Sequence, residues 1–356
     1  MRPQTIEDLA KIVAEAAASG GKLELRGGGA KADVGAPREA QIVDMTTFSG
    51  IIDYDPAELV LTAGAGTPLH EIEAAVAERG QMLAFEPYGE GATLGGIVAA
   101  GVSGSRRLSR GPVRDHLLGF KAVSGRGEAF VGGAKVVKNV TGYDLPKVIA
   151  GSWGRLAALT EVTLKVLPRA PVSITLAVAG LDPAAAVALM ARAMGSQADV
   201  AAAAHVPGLT AIRLEGFGPS VAARRVMLES QAGARALAED QAADFWRSLR
   251  TQSLLGDGPL WRIIVPPSRG PQVVAALKAD WMMDWAGGLI WLVSQDAAAV
   301  RAAAQVAGGH AMLVRAPEAM RRTVPALHPQ TAGVAALEAR VRRAFDPTGV
   351  FETGRF

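Results

Sequence analysis

Three short segments of this chain are rich in glycine, each lying between stretches with the alternation or periodicity of regular structure. The first is Gly27, Gly28, Gly29, Ala30 and Lys31, directly after an alternating run over 22–26 that reads as a half-buried strand. Consecutive residues without Cβ atoms let backbone N–H groups converge on an anion and let a pyrophosphate come close. A triple glycine taken alone serves equally well as a flexible turn. The second segment is Thr93, Leu94, Gly95 and Gly96, continuing through Gly101, Ser103 and Gly104 and closed by Gly111 and Asp115. Thr93 at an N-cap position predicts a helix N-terminus with free N–H groups beside a phosphate. Small residues over 99–104 can lie flat against a ring system, or can serve close helix packing. The third runs from Lys138 through Asn139, Val140, Thr141 and Gly142 to Tyr143 and Asp144, and is followed by Gly151, Ser152, Trp153 and Gly154. Taken singly, Tyr143 reads as a half-buried aromatic and Asp144 as a helix cap. Three such loops separated by strands form a wall that can surround an extended ligand, and it is this order that points to a dinucleotide.

Other dinucleotide folds fit poorly. Gly64-Ala65-Gly66-Thr67-Pro68-Leu69 lacks the third glycine of a Rossmann fingerprint and puts Pro where a helix amide would face phosphate. A G-x-x-x-x-G-K-[S/T] phosphate loop is absent. The chain has no cysteine, which removes disulfides, cysteine nucleophiles, thiolate zinc sites and cysteine-ligated iron–sulfur clusters together. Its 37 basic and 34 acidic residues leave a net charge of +3, too small and too evenly spread for a nucleic-acid footprint. Apolar runs stay shorter than the roughly 18–20 residues that span a bilayer, and the N-terminus reads directly as a helix rather than a signal segment. A soluble cytoplasmic protein is the expectation.

Thr5 with Glu7 and Asp8 predicts a capped helix ending at Gly20-Gly21. Strands are expected over 41–45, 59–63, 83–85 and 159–166, a helix from Thr67-Pro68 to Gly80, and a hairpin around Gly125-Arg126-Gly127. Beyond residue 171 alanine dominates. Strands over 173–178, 211–216, 261–265, 288–293 and 310–313 alternate with helices over 183–194, 220–230, 271–279 and 297–307, which suggests a duplicated ferredoxin-like pattern.

The stretches RGGGAKADVG (26–35), VLTAGAGTPLHEIEAAV (60–76), TLGGIVAAGVSGSRR (93–107), RGPVRDHLLG (110–119), KVVKNVTGYDLPKVIAGSWGRLAALTEVTLKV (135–166) and FDPTGVFETGRF (345–356) resemble the vanillyl-alcohol oxidase/PCMH flavoprotein superfamily. Within it, the chain is most similar to the FAD-binding E subunits of bacterial glycolate oxidases. The resemblance implies an α+β fold: a PCMH-type FAD-binding domain of two α+β subdomains over 1–170, an α+β cap over 171–340, and a tail over 341–356 that returns to the first domain. It implies that Gly27, Gly28, Gly29, Ala30 and Lys31, with Thr93, Leu94, Gly95 and Gly96, cradle the FAD pyrophosphate. Gly101, Ser103 and Gly104 would line the ribityl and isoalloxazine region, and Gly151, Ser152 and Leu159 the adenine end. Pro87 and Gly111 would complete the site, with Arg114 and Asp115 shaping its loop. Many relatives attach FAD through a histidine after the glycine loop; with Ala30 and Lys31 in that place, and no cysteine, the flavin is expected to be non-covalent. The ending Glu352-Thr353-Gly354 departs from the family's usual tail, which puts a flavin contact from there in doubt.

Oxidising a 2-hydroxy acid also needs a base and a cation for the carboxylate. His70, His116, His205, His310 and His328 form no paired cluster. His70 is expected to be solvated, and His205 and His310 to pack in the cap. His328 is retained as the catalytic candidate, and Arg321-Arg322 is read as a solvated pair. Trp281 and Trp285, spaced i,i+4, would share a helix face, as cap core or as a docking surface. Three readings stay open. One is an FAD subunit of a multi-subunit glycolate oxidase, acting with a related FAD-binding subunit and an iron–sulfur subunit that give it a membrane association. The others are a self-sufficient D-2-hydroxy-acid dehydrogenase and a non-catalytic flavin-binding assembly subunit.

Overall fold

The computed structural model describes residues 1–134 and 143–356. Lys138, Asn139, Val140, Thr141 and Gly142 of the third glycine segment lie outside the described residues. Helix α1 (Ile6–Ser19) starts as its sequence predicts: Thr5 Oγ1 accepts the Asp8 N–H at 3.1 Å and Asp8 Oδ2 accepts the Thr5 N–H at 3.1 Å. This reciprocal pair satisfies donors that the first turn cannot, and Gly20 ends the helix at φ 72. Its buried face, Leu9, Val13 and Ala16, meets Leu23 and Val43 of β1 (Leu23–Arg26) and β2 (Gln41–Asp44), which pair in parallel.

The main sheet of the first region is antiparallel and five-stranded. Its order is β3 (Ile51–Asp55), β4 (Val60–Gly64), β8 (Ala157–Lys165), β6 (Leu117–Ser124), β7 (Ala129–Gly133). A two-residue pair, β5 (Gln81–Met82) with β9 (Leu167–Pro168), lies beside it. The strand expected over 83–85 is absent: Leu83, Ala84 and Phe85 are buried outside any ladder, and the pairing falls two residues earlier. Helices α2 (Leu69–Ala77) and α3 (Leu94–Ala100) and the single turns α4 (Arg107–Arg110), α5 (Val113–His116) and α6 (Leu145–Ile149) complete this region.

The second region carries the duplication the sequence suggests. Its first half runs β10 (Val172–Ala179), α7 (Pro183–Met194), β11 (Val200–Val206), β12 (Leu209–Gly216), α8 (Gly218–Ala232), β13 (Arg235–Ala236). After α9 (Glu239–Thr251) the same order recurs as β14 (Leu260–Ile264), α10 (Gly270–Leu277), β15 (Trp281–Asp284), β16 (Leu289–Val293), α11 (Ala297–Val306), β17 (His310–Arg315). Each half has the ferredoxin-like strand order, and an antiparallel contact at His205 and Met283 joins β11 to β15, so one eight-stranded sheet results. One sheet face buries Leu176, Met190, Ile212 and Ile290 under the helices. The other buries Ala204, Trp246 and Trp291 together with Val34, Tyr88 and Val102 of the first region, so the two regions share a core.

Strands β3, β11 and β15, with the two-residue β9 and β13, escaped the sequence reading. β11 is VAAAAHV, buried at every position, and alanine is a helix former depleted in strands. β3 is an edge strand with mostly exposed residues and no clean alternation. The expected helix bearing Trp281 and Trp285 is instead strand β15 followed by a tight turn. Trp261, Trp285 and Trp291 are buried by the chain itself, so they offer no docking surface. Past α12 (Glu318–Thr323), the chain returns through α13 (Ala332–Phe345), whose Phe345 ring stands 6.0 Å from that of Phe130. Among the described residues no helix is long and apolar enough to cross a membrane.

Candidate cofactor site

The glycines bring the loops together by letting backbone meet backbone. A Cβ on Gly27 would overlap Thr93 Oγ1, and one on Gly28 would overlap the Gly91 carbonyl oxygen. The first and second segments are therefore interlocked. The second and third meet in the same way, since a Cβ on Gly101 would stand 2.9 Å from Gly151 Cα. That junction is fastened by Gly151 N–H to Val98 O at 3.0 Å and Trp153 N–H to Ala99 O at 2.7 Å.

Between these loops lies a cleft enclosing about 820 Å³ of space, part of it open to solvent. Gly27, Gly28, Gly29, Ala30, Lys31, Thr93, Gly95, Gly96 and Leu159 line it. Leu94 is fully buried behind it, and Pro87 lines a neighbouring cleft of about 1440 Å³. Ser103 and Gly104 face a third cavity, of about 630 Å³, between the two regions. Gly101 and Gly151 form the loop junction described above. Ser152 stands beside that junction, with its N–H on Ile149 O at 3.1 Å. Gly111 turns at φ 84 against Asp115 and His116. Thr93 occupies the N-cap of α3, but its side chain makes no capping bond. Two of the helix's first amides are already engaged, Leu94 N–H by Thr67 O at 3.0 Å and Gly95 N–H by Ala65 O at 2.7 Å. They are not free for a phosphate, as the sequence had suggested.

The positive charge comes from side chains. The charged residues lining the 820 Å³ cavity are Arg26, Lys31 and Arg355 against Glu24. Glu24 is already engaged by Arg26 at 3.0 Å and by Arg38 at 2.6 Å. Lys31 Nζ donates to Tyr88 O at 3.1 Å, and Arg355 donates to Val34 O at 2.9 Å and to Lys31 O. Neither makes a salt bridge among the described residues. Burial, reinforced by the nearby Arg355, pushes the Lys31 ammonium down to about 8. Burial and Arg38 push Arg355 down to about 10. Two half-buried cations on a glycine cradle, without an ion-pair partner among the described residues, fit a pyrophosphate.

A pH dependence follows. Lys31 has a lower pKa in the folded chain than the 10.5 of a free lysine. Holding its charge therefore destabilises the ligand-free chain below about pH 8, and the penalty lifts as pH rises from there toward 10.5. A pyrophosphate bound there would reverse this by holding the proton on Lys31. FAD affinity should be flat below pH 8 and weaken by up to about tenfold per pH unit above it. Fluorescence titrations across pH 7–10 check this, and Lys31→Met should flatten the slope.

Arg355, Trp153 and Gly154 belong to the cavity wall; the sequence places the latter two in the third glycine segment and assigns Arg355 no role there. Arg355 carries no motif of its own. Trp153 and Gly154 directly follow the Gly151-Ser152 pair that was named. His328 lies apart from all these cavities, accepting the Ala311 N–H at 3.3 Å. His205 is buried, with its Nδ1 3.0 Å from Thr210 Oγ1. His70 is exposed on the rim of the large cleft. Arg321 is not a solvated residue: it donates to Gly35 O at 3.3 Å and faces Asp33, while Arg322 is exposed and paired with Glu318.

Comparison with known proteins agrees with this geometry. A family model described as FAD binding domain matches residues 1–133. Glycolate oxidase subunit GlcE of Escherichia coli is 38% identical over 339 residues, covering 94% of this chain and 92% of that one. A D-lactate dehydrogenase of Archaeoglobus fulgidus is 32% identical over 170 residues, 48% of this chain and 38% of that protein. Glycolate oxidase subunit GlcD of Bacillus subtilis is 31% identical over 120 residues, 33% of this chain and 26% of its own length. A solved alkyldihydroxyacetonephosphate synthase superposes with a TM-score of 0.70 at 16% identity, over 99% of this chain and 76% of that chain, and so shares its fold. The long, full-length match to the E subunit, joined to a glycine-and-cation cradle within an FAD-binding domain, places this chain in the GlcE family of glycolate oxidase subunits.

Proposed function

We propose that this chain is the FAD-carrying subunit of an oxidoreductase complex that converts glycolate, or a similarly small D-2-hydroxy acid, to the 2-oxo acid. The observation that carries the reading is the Lys31–Arg355 pair on the glycine cradle, which supplies cationic charge for a dinucleotide pyrophosphate. When bound, FAD supplies the two-electron acceptor for the alcohol. Gly27, Gly28 and Gly29 would hold its diphosphate against main chain, Lys31 and Arg355 would neutralise it, and Thr93, Gly95 and Gly96 would close the cradle. Leu159, Trp153 and Gly154 would bound one end of the cofactor, and Ser103 and Gly104 the end that faces the cap.

Non-covalent attachment is part of the proposal, because Ala30 and Lys31 offer no histidine beside the cradle. Partners are part of the proposal: any cysteine-ligated iron–sulfur cluster in the pathway must sit on another chain, because this one has no cysteine. A related FAD-binding subunit and an iron–sulfur subunit would carry electrons onward and give a cytoplasmic chain its membrane association. The proposed division is an FAD domain over 1–170, a cap over 171–340 and a returning tail over 341–356. The shared core around Val34, Tyr88 and Val102 supports a cap seated firmly on the first domain.

Two measurements test the reading, one on the purified chain and one on the assembled complex. Acid precipitation should release the flavin entirely into the supernatant; yellow colour left on the precipitate would end the non-covalent assignment. Anaerobic addition of glycolate or D-lactate to the assembled complex should bleach this subunit's flavin. A chain that fails to retain FAD after reconstitution would end the proposal.

A further inference from the structure

The cavity of about 630 Å³ between the two regions is lined by two carboxylates, Glu86 and Asp284, and by no histidine. Their surroundings drive them in opposite directions. Glu86 pairs with Arg106 and, at 3.2 Å, with Arg213. Burial opposes its charge, but the two guanidinium groups prevail and hold its carboxyl below the usual range. Glu86 is thus a fixed anion already engaged by its partners.

Asp284 makes no salt bridge among the described residues. Its Oδ2 accepts the Ser105 hydroxyl at 2.6 Å and its Oδ1 accepts the Trp285 N–H at 2.7 Å. Each carboxylate oxygen keeps a further lone pair, and Asp284 itself lies on the cavity wall while only 4% exposed. Burial pushes its carboxyl up to about 6, against those two hydrogen bonds. The main chain after it is strained: Trp285 and Ala286 hold φ values of 52 and 55, left-handed positions that side-chain-bearing residues seldom occupy. Such strain gathers where a group must be aimed. Ser105 directly follows the glycine segment that would border the flavin, so the Ser105–Asp284 bond brings the cap carboxylate to that border. Arg250 lines the same cavity, without a salt bridge among the described residues, as a cation for a substrate carboxylate.

We propose that Asp284 is the base that takes the hydroxyl proton from a small 2-hydroxy acid bound in this cavity. The assignment rests on the function proposed above. As the O–H bond breaks, its proton passes to the Asp284 carboxylate and its electron pair forms the carbonyl. The Cα hydrogen leaves with the C–H electron pair to oxidised FAD, so the alcohol is oxidised by two electrons and the flavin reduced by two. A carboxylate that is ionised near neutral pH and close in pKa to its working pH suits this task, and two carboxylates with diverging pKa values mark the acid–base assignment. The charged groups around Asp284 are Glu86 and Arg213 across the cavity and Arg262 from β14.

The test is single-turnover anaerobic reduction by glycolate, with the assembly purified from its host as wild type and as Asp284→Asn. The variant should be slower by about 100- to 10,000-fold, with unchanged FAD content, and should lack the wild type's acid limb near pH 6. Infrared titration of the FAD-loaded protein without substrate gives an independent readout. A carboxyl band titrating near pH 6 should be present in wild type and absent from Asp284→Asn. In Ser105→Ala, which loses a donor to the ionised form, band and acid limb should both move to higher pH. If Asp284→Asn does not fold, Ser105→Ala decides the matter, and an unmoved acid limb overturns the assignment. Equal reduction rates in wild type and Asp284→Asn also overturn it. Wild-type assembly that holds FAD yet is reduced by neither glycolate nor D-lactate overturns the functional reading itself, and the assignment with it.

Discussion

Gly28→Ala should yield a folded chain that no longer retains FAD. The added Cβ would overlap the Gly91 carbonyl oxygen and stand 3.0 Å from its carbon. Both are main-chain atoms, and Gly91 is itself held at φ 69. Unlike the end of a flexible side chain, this neighbour cannot swing away. Relief requires the first loop to part from the second, which moves Lys31 out of register with Thr93 and Gly96 across the cradle. A displacement of this kind should weaken FAD binding by about 100-fold or more, equivalent to about 3 kcal/mol. The flavin-to-protein absorbance ratio after gel filtration reads the loss, and far-ultraviolet circular dichroism should stay at the wild-type value. Gly29→Ala provides the contrast. Its Cβ would meet nothing within 4 Å, but φ is 78, so the cost is backbone strain of about 1–2 kcal/mol. FAD should remain bound, more weakly.

Glu215→Gln should be the most destabilising single change at the junction of the two regions. Glu215 lies on β12, only 3% exposed, and Arg106 of the first region binds it at 2.7 Å. Arg110 and Arg213 stand at 3.7 and 4.0 Å. Removing the carboxylate charge leaves Arg106 and Arg213 to share Glu86 and Arg110 without a carboxylate partner, and uncompensated buried charge costs about 3–5 kcal/mol. A lowered thermal midpoint, with the transition splitting as the cap separates from the first region, is the expected calorimetric result. An unchanged midpoint would show that Glu86 alone suffices. The same cluster predicts the acid response. Burial opposes the Glu86 charge, but Arg213 and Arg106 lower its folded pKa below 4.5. Its stabilisation is therefore full above pH 4.5 and is lost as pH falls through the folded value.

Local chemistry made much of this legible in the sequence. The Thr5–Asp8 capping box, the helix stop at Gly20 and the hairpin at Gly125-Arg126-Gly127 each depend on a few adjacent residues, and each forms where its residues predict. The doubled strand–helix order of the cap was also readable, because turn residues punctuate it. What stayed hidden depends on distant chain. β11 is a strand because sheet neighbours and two buried faces override the helical preference of four consecutive alanines. Trp285 belongs to a strained turn, set by Asp284 and Gly270 rather than by its spacing from Trp281. In the cofactor cavity the glycines announced themselves, since no other residue type tolerates such close approach. Arg355 did not: it lies in a tail stretch that carries the resemblance, but only the fold brings its guanidinium to Lys31. Asp284 was invisible for the same reason, because its meaning comes from Ser105, 179 residues away.

The Arg355 contact also imposes a timetable. Its guanidinium reaches Lys31 across 324 residues, the longest side-chain closure in the cavity wall. A nascent chain that has exposed its three glycine loops still lacks this cation, and must extrude the whole cap before the wall can close. On the proposed site, flavin capture is thereby tied to synthesis of the cap, and a fragment released before the cap is made would be left with a half-built anion site. At that site the dinucleotide would double as a latch, bridging loops made before the cap and a residue made after it, so that holding the cofactor would report that the chain between them has folded.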